Sequence, residues 1–207
     1  MIRTLEDAQL RRGGFRIGVL HGKQLAGKDD REYKIQREVY LVGNLRMNVS
    51  KTRKVEVRII AYEVPLGKTN RSYSVDLIGY DQEFNIYLIE VKRENNRETL
   101  QKDVVEQINS YYEMFRKIKS EFEKEFAERF LFPVRFKSIV KVILAPRQYY
   151  QQNGRENESL ARRNDGDVLF GYFGNIARRG ETDLVRPSKM WVDVSFYNPQ
   201  ARWTIAH

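Results

Sequence analysis

The chain of 207 residues contains no cysteine. Disulfides, thiolate metal centres and thiol nucleophiles are thereby excluded, and the lack of disulfides fits a reducing interior. Histidine is nearly as scarce: His21 lies in a glycine-containing segment that reads as an exposed loop, and His207 is the last residue of the sequence. Two histidines so placed argue against a Ser-His-Asp triad and against a multi-histidine zinc site. No apolar run approaches the ~18 residues needed to span a bilayer. Arg11, Arg12 and Arg16 interrupt the N-terminal region before a signal-peptide core develops. The expectation is a soluble, cytoplasmic protein with no membrane partner, whose chemistry relies on carboxylates, lysine and a hard metal.

Charge is what the chain has in surplus. Thirty-seven lysines and arginines against 28 acids give a net charge of +9, with a sequence pI near 9.6. A surplus of this size favours a polyanionic partner, of which nucleic acid is the commonest. Hydrophobic residues make up 41% and aromatics 12%, enough for one well-cored domain with or without an appendage.

Residues 1–28 are basic and glycine-rich, with a short strand expected at Phe15–Leu20. From Asp29 to Leu45 the spacing of Ile35, Val39 and Val42 predicts a helix, and Asp29 and Asp30 suit its positive N-terminal end. Three strands are expected next, at Lys54–Val64, Tyr73–Gly79 and Ile86–Lys92. A long helix follows, roughly Glu98 to Phe130. Its apolar stripe is Val104, Ile108, Tyr111, Tyr112, Phe115, Ile118, Phe122 and Phe126. Pro133 closes it, and Phe136–Leu144 reads as a further strand. After Pro146 the composition turns polar, and Val168–Phe173 and Met190–Phe196 look like short strands. The chain thus divides into an N-terminal arm (1–28), a compact α/β core (29–146) with a mixed central sheet flanked by helices, and a C-terminal β-containing extension (147–207).

The most informative stretch is Ser74 to Lys92. Strand side chains alternate faces, so Ile86, Leu88, Glu90 and Lys92 point one way and Tyr87, Ile89 and Val91 the other. A hairpin turning around Asp81 to Asn85 brings Asp76 beside Glu90. Two carboxylates next to one lysine make a cation site with a poised base. Phosphodiester hydrolysis needs these parts. A magnesium ion held by carboxylates neutralises charge and supplies hydroxide, and a lysine orients or deprotonates the water or stabilises the transition state. Asp81 and Glu83 are most simply turn residues. Glu63 follows the core-facing register of its strand, although an acid beside Pro65 is more simply a strand end.

These residues resemble the PD-(D/E)XK nuclease superfamily, whose restriction-endonuclease-like fold has the order helix, three strands, helix, strand. The superfamily's acid corresponds to Asp76, and its E-x-K to Glu90-Val91-Lys92; Val75 stands where the motif's proline would be. The first helix of that family often adds a glutamate, for which Glu38 is the first choice and Glu32 the second. Gln107 and Tyr111 form a Q-x-x-x-Y arrangement similar to the RecB-like branch. They share a helix face that could reach the phosphate or metal shell, or simply pack. Val75-Asp76-Leu77-Ile78-Gly79 is similar to the I-D-L-L-G segment of NucS-type endonucleases. The likeness covers about residues 30 to 145. It implies magnesium, or manganese, held by Asp76, Glu90, the carbonyl of Val91 and Glu38, with Lys92 acting on the water. It implies a nuclease acting on DNA and leaving a 5′-phosphate, with a homodimer favoured if both strands are cut.

Arg93, Lys28, Arg147, Tyr150, Arg162 and Arg163 are the candidate nucleic-acid contacts, since arginine reads phosphate and aromatics stack on bases. Two rival readings exist. One is a catalytically silent nucleic-acid-binding module on the same fold. The other is a nucleotide-binding loop at Gly22–Asp29, which nearly spells a P-loop; but Asp29 replaces the hydroxyl residue, and strands and helices do not alternate after it.

Overall fold

The computed structural model of the chain describes residues 14–15, 17–18, 31–48, 54–66, 73–94, 96–153, 168–173 and 192–196. Helix α1 (Arg31–Val42) leads into β1 (Asn44–Asn48), β2 (Lys54–Pro65), β3 (Ser74–Tyr80) and β4 (Ile86–Val91). A π-helical turn (Leu100–Val105) opens the long α2 (Glu106–Phe130), followed by β5 (Ile139–Ala145), the short α3 (Arg147–Gln152), β6 (Val168–Phe173) and β7 (Val192–Phe196). Strands β1 to β4 pair antiparallel in sequence order. β5 and β6 then add in parallel, and β7 pairs antiparallel with β6 and parallel with β1. The result is a mixed, curled sheet with helices, an α/β architecture as the sequence predicts.

One helix serves each face of the sheet. The α1 residues Tyr33 and Val39 share a core with Val57, Ile59, Leu77, Tyr87, Ile89 and Val91. On the other face Ile108, Tyr111, Phe115, Ile118, Phe122 and Phe126 of α2 pack against Ile78, Ile86, Leu88 and Ile143. That face of α2 carries the spacing of three and four that an apolar helical stripe requires. Because neighbouring residues of β4 face opposite cores, all six are buried, as in a strand covered on both sides.

Helix α1 stops three residues before the predicted end. Gly43 takes φ +78° and its N–H donates to the Val39 carbonyl at 3.1 Å, a left-handed glycine cap that suits a residue without Cβ. The chain then enters β1, a strand absent from the sequence reading. Leu45 and Met47 are its buried apolar residues. Phe15–Leu20 does not read as a strand where described: residues 14–15 and 17–18 are turns. Phe15 and Ile17 are nevertheless buried in the α2-side core. β5 begins at Ile139 rather than Phe136, whose N–H donates to Glu123 at 2.7 Å instead of to a strand.

Two local features fix the hairpin that carries the site. Asp81 is buried and its carboxylate accepts the N–H of Glu83 and of Asn85 at 2.9 Å, the Asn85 amide at 2.9 Å and the Tyr87 hydroxyl at 2.8 Å. An aspartate bonded to the backbone two residues on nucleates a turn, and this one sets the register Leu77 opposite Ile89 and Tyr80 opposite Ile86. At Gly79 the neighbouring strand comes too close for a side chain. A Cβ there would lie 2.7 Å from Val57 Cγ1 and 2.8 Å from the Arg58 carbonyl, beside the register shift between Ile59 and Ala61.

Candidate active site

Continuing the β3–β4 register one residue past Leu77–Ile89 places Asp76 opposite Glu90, at the end of β4 where α1 and the start of α2 converge. The Val91 N–H donates to Asp76 Oδ2 at 2.7 Å. Lys92 lies just beyond β4, its N–H still donating to the Leu144 carbonyl at 2.9 Å. Its Nζ is 2.8 Å from Glu90 Oε1, 2.5 Å from Glu98 Oε2 and 3.8 Å from Glu32 Oε1. It also donates to Gln107 Oε1 at 3.3 Å, and the Gln107 amide donates to the Tyr111 hydroxyl at 2.7 Å.

Asp76, Glu90, Lys92, Gln107 and Tyr111 are therefore gathered in one place. Glu38 is not part of that gathering as described: it lies on the exposed side of α1, and the α1 acid beside Lys92 is Glu32. The buried side of α1 is centred on Tyr33, Gln36 and Val39. At 100° per residue Glu32 and Glu38 point about 120° apart. Sequence reasoning missed Glu98, a loop acid whose side chain is 46% exposed and which carries no periodicity signal.

Three carboxylates meet a single ammonium with Asp76 beside them, and burial governs the ionisation of Asp76, Glu90 and Glu32. Glu90 and Lys92 are 2% and 3% exposed, and Asp76 is half-buried. Burial pushes the Asp76 carboxyl well above the usual carboxylate range, the Glu90 charge adds to this, and the Val91 N–H opposes it. Burial raises Glu90 to about 7 against the pull of Lys92, and also raises Glu32. For Lys92 burial works downward, but the charge and hydrogen bond of Glu90 and the hydrogen bond of Glu98 prevail and hold it above its ordinary value. Burial, then the charge of Glu90, likewise raises Tyr111.

Glu90 Oε2 is buried and has no hydrogen-bond partner. An acid oxygen left in that state carries a desolvation penalty that a cation would relieve. The donors suit a hard divalent ion in kind: two carboxylates on adjacent strands, one with an orphaned oxygen. Among the described residues no group of three or more histidines, aspartates or glutamates is spaced to hold a metal ion. As arranged, the Lys92 ammonium stands where the carboxylates of Glu32, Glu90 and Glu98 come together.

Of the candidate nucleic-acid contacts, Arg93 is exposed next to the site, with Arg97 and Lys102 also exposed nearby in sequence. Tyr150 is a correction: it is 7% exposed and its hydroxyl donates to the Ile143 carbonyl at 3.0 Å, so its ring packs in the core and is withdrawn from stacking on bases. Arg147 opens α3. Lys28, Arg162, Arg163, His21 and the Gly22–Asp29 segment lie outside the described residues. No helix among the described residues is long and apolar enough to cross a membrane. No family model, curated protein or solved structure matches the chain.

Proposed function

We propose that the chain is a metal-dependent nuclease of the PD-(D/E)XK type, with a restriction-endonuclease-like core, that hydrolyses phosphodiester bonds in DNA. The observation that carries this reading is the adjacent Asp76–Glu90 pair, with Glu90 buried, its Oε2 orphaned and its Oε1 2.8 Å from the Lys92 Nζ. A structural ion pair would leave one acid per base. Here burial disfavours the ionised form of both strand acids, a pattern found where a site is built for chemistry.

Asp76 and Glu90, with the carbonyl of Val91, would hold magnesium or manganese, and Glu32 takes the role expected of Glu38. The bound ion supplies charge neutralisation at the phosphate and a water of lowered pKa. Lys92 stays protonated among its carboxylates, so it donates: it orients the water and offsets charge on the phosphate rather than taking a proton. Gln107 fixes the ammonium from α2, and Tyr111 fixes Gln107. Burial of Lys92 restricts its rotamers, which favours a single reactive geometry. The net charge of +9 and the exposed Arg93, Arg97 and Lys102 favour a polyanionic substrate.

The second reading, a binding module without turnover, draws support from Lys92 sitting at the meeting point of three carboxylates and from the lack of a three-acid metal group among the described residues. Asp76→Ala separates the two. Under the nuclease reading it abolishes magnesium-dependent cleavage of labelled DNA while leaving the gel-shift affinity and the fold. Wild type that binds DNA and cuts none with magnesium or manganese would transfer the assignment to the module.

A further inference from the structure

Lys92 has two close carboxylate partners of opposite character. Glu90 is buried in the sheet, whereas Glu98 reaches in from a surface loop with its side chain 46% exposed. An exposed acid ordinarily holds a lysine loosely, because two mobile side chains lose entropy for a screened attraction. This loop is instead pinned at Asn96, Glu98 and Leu100. The Glu98 N–H donates to Asn96 Oδ1 at 2.8 Å, and the Asn96 amide reaches Glu32 at 3.4 Å. The hydroxyl of Tyr149, a fully buried residue on α3, donates to the Glu98 carbonyl at 2.9 Å. Asn153 accepts the Leu100 N–H at 3.0 Å and donates back to the Tyr149 carbonyl at 2.9 Å. Five residues from three parts of the chain thus hold one surface acid against one buried ammonium.

That construction answers an electrostatic problem. A divalent cation held by Asp76 and Glu90 would stand beside the Lys92 ammonium and draw charge from Glu90, the partner it shares with the lysine. In a buried site such like-charge proximity is poorly screened. Lys92 would then be repelled from the position where it acts unless another carboxylate retained it. Glu98 already touches it from the solvent side, and its backbone is anchored independently of β4.

We propose that Glu98 is a positioning residue, which keeps Lys92 in place once the cation claims Glu90, and that Tyr149 holds Glu98 for this task. The proposal rests on the nuclease reading above. It assigns a role to α3, the first element of the C-terminal extension, which otherwise has no part in the site.

The test compares wild type with Glu98→Gln, Glu98→Asp and Tyr149→Phe in two assays: steady-state cleavage of one labelled DNA, and manganese binding to the DNA-free protein, followed by loss of the free-ion electron paramagnetic resonance signal. Glu98→Gln is expected to lower kcat about 10-fold or more with KM little changed, as removal of a group that orients a metal-site residue does. It should also weaken manganese binding. Glu98→Asp should recover part of both effects, and Tyr149→Phe should lower kcat in the same direction by a smaller factor. Unchanged kcat and manganese affinity in folded Glu98→Gln would overturn the proposal. So would faster cleavage with a lower KM, because Glu98 would then be an anion blocking Lys92. Wild type that never cuts would sink the nuclease reading alone, and the manganese comparison would still decide the role of Glu98. Wild type that binds no manganese would overturn both.

Discussion

Replacing Glu90 by glutamine should stabilise the metal-free protein at alkaline pH, although it removes an acid that contacts a lysine. Burial raises the Glu90 carboxyl from 4.5 to about 7. At 1.36 kcal/mol per pH unit, that rise corresponds to about 3 kcal/mol withheld from the folded state when the group is fully ionised. Because the folded form binds the proton more tightly than the unfolded chain, this part of the stability is complete below pH 4.5 and is lost as pH rises through about 7. Glutamine keeps the shape and an amide oxygen for Lys92, whose charge remains balanced by Glu98 and Glu32. The variant should therefore exceed wild type by about 1–3 kcal/mol at pH 8 and converge with it at low pH, where Glu90 is protonated and as neutral as the amide. Urea denaturation in EDTA between pH 4.5 and 8.5 measures this. Added magnesium should raise wild-type stability at pH 8 and leave Glu90→Gln unmoved. If the variant is less stable than wild type at pH 8, the attraction between Glu90 and Lys92 outweighs the burial penalty, and the argument that the site awaits a cation fails.

Three further outcomes test the frame around the site. Asp81→Ala removes the acceptor of four hydrogen bonds in the β3–β4 turn, and at about 0.5–1.5 kcal/mol each it should cost about 2–4 kcal/mol by denaturant melt; a loss below 1 kcal/mol would mean the strands alone set the register. Gly79→Ala drives a Cβ to within 2.8 Å of the Arg58 carbonyl and should destabilise by about 1–3 kcal/mol, with a neutral result showing that β2 can move aside. Leu131 ends α2 with φ 53° and is 90% exposed. Leu131→Gly should therefore raise the thermal midpoint by an amount equivalent to about 0.5–1 kcal/mol, and a lowered midpoint would show that its side chain packs in solution.

What the sequence disclosed and what it hid follow from the range of the forces involved. The approach of Asp76 to Glu90 was legible because strand parity and a turn at Asp81 to Asn85 decide it locally. The apolar stripe of α2 was legible because six buried positions repeat at three and four. β1 was hidden: its buried apolar residues are Leu45 and Met47, and Val42 extends the helical spacing right up to the Gly43 cap. Ile35 and Val42 drew the expected buried face of α1 toward Glu38, whereas Tyr33 and Gln36, an aromatic and an amide, lie nearer its centre and leave Glu38 on the exposed side and Glu32 beside Lys92. Tyr150 read as a surface aromatic in a polar stretch, yet the Ile143 carbonyl satisfies its hydroxyl and lets the ring be buried. Glu98 reaches Lys92 through a loop held by Tyr149, 51 residues away in the chain, a contact that no local pattern encodes.

The measurement that tests the central claim most directly is the conversion of supercoiled circular DNA to nicked or linear forms, in magnesium and then in EDTA, by wild type beside Lys92→Ala. The account predicts cutting by wild type in magnesium, none in EDTA, and none by the variant even where it binds DNA as tightly. Cutting by Lys92→Ala at the wild-type rate, or no cutting by wild type with either magnesium or manganese, would contradict it.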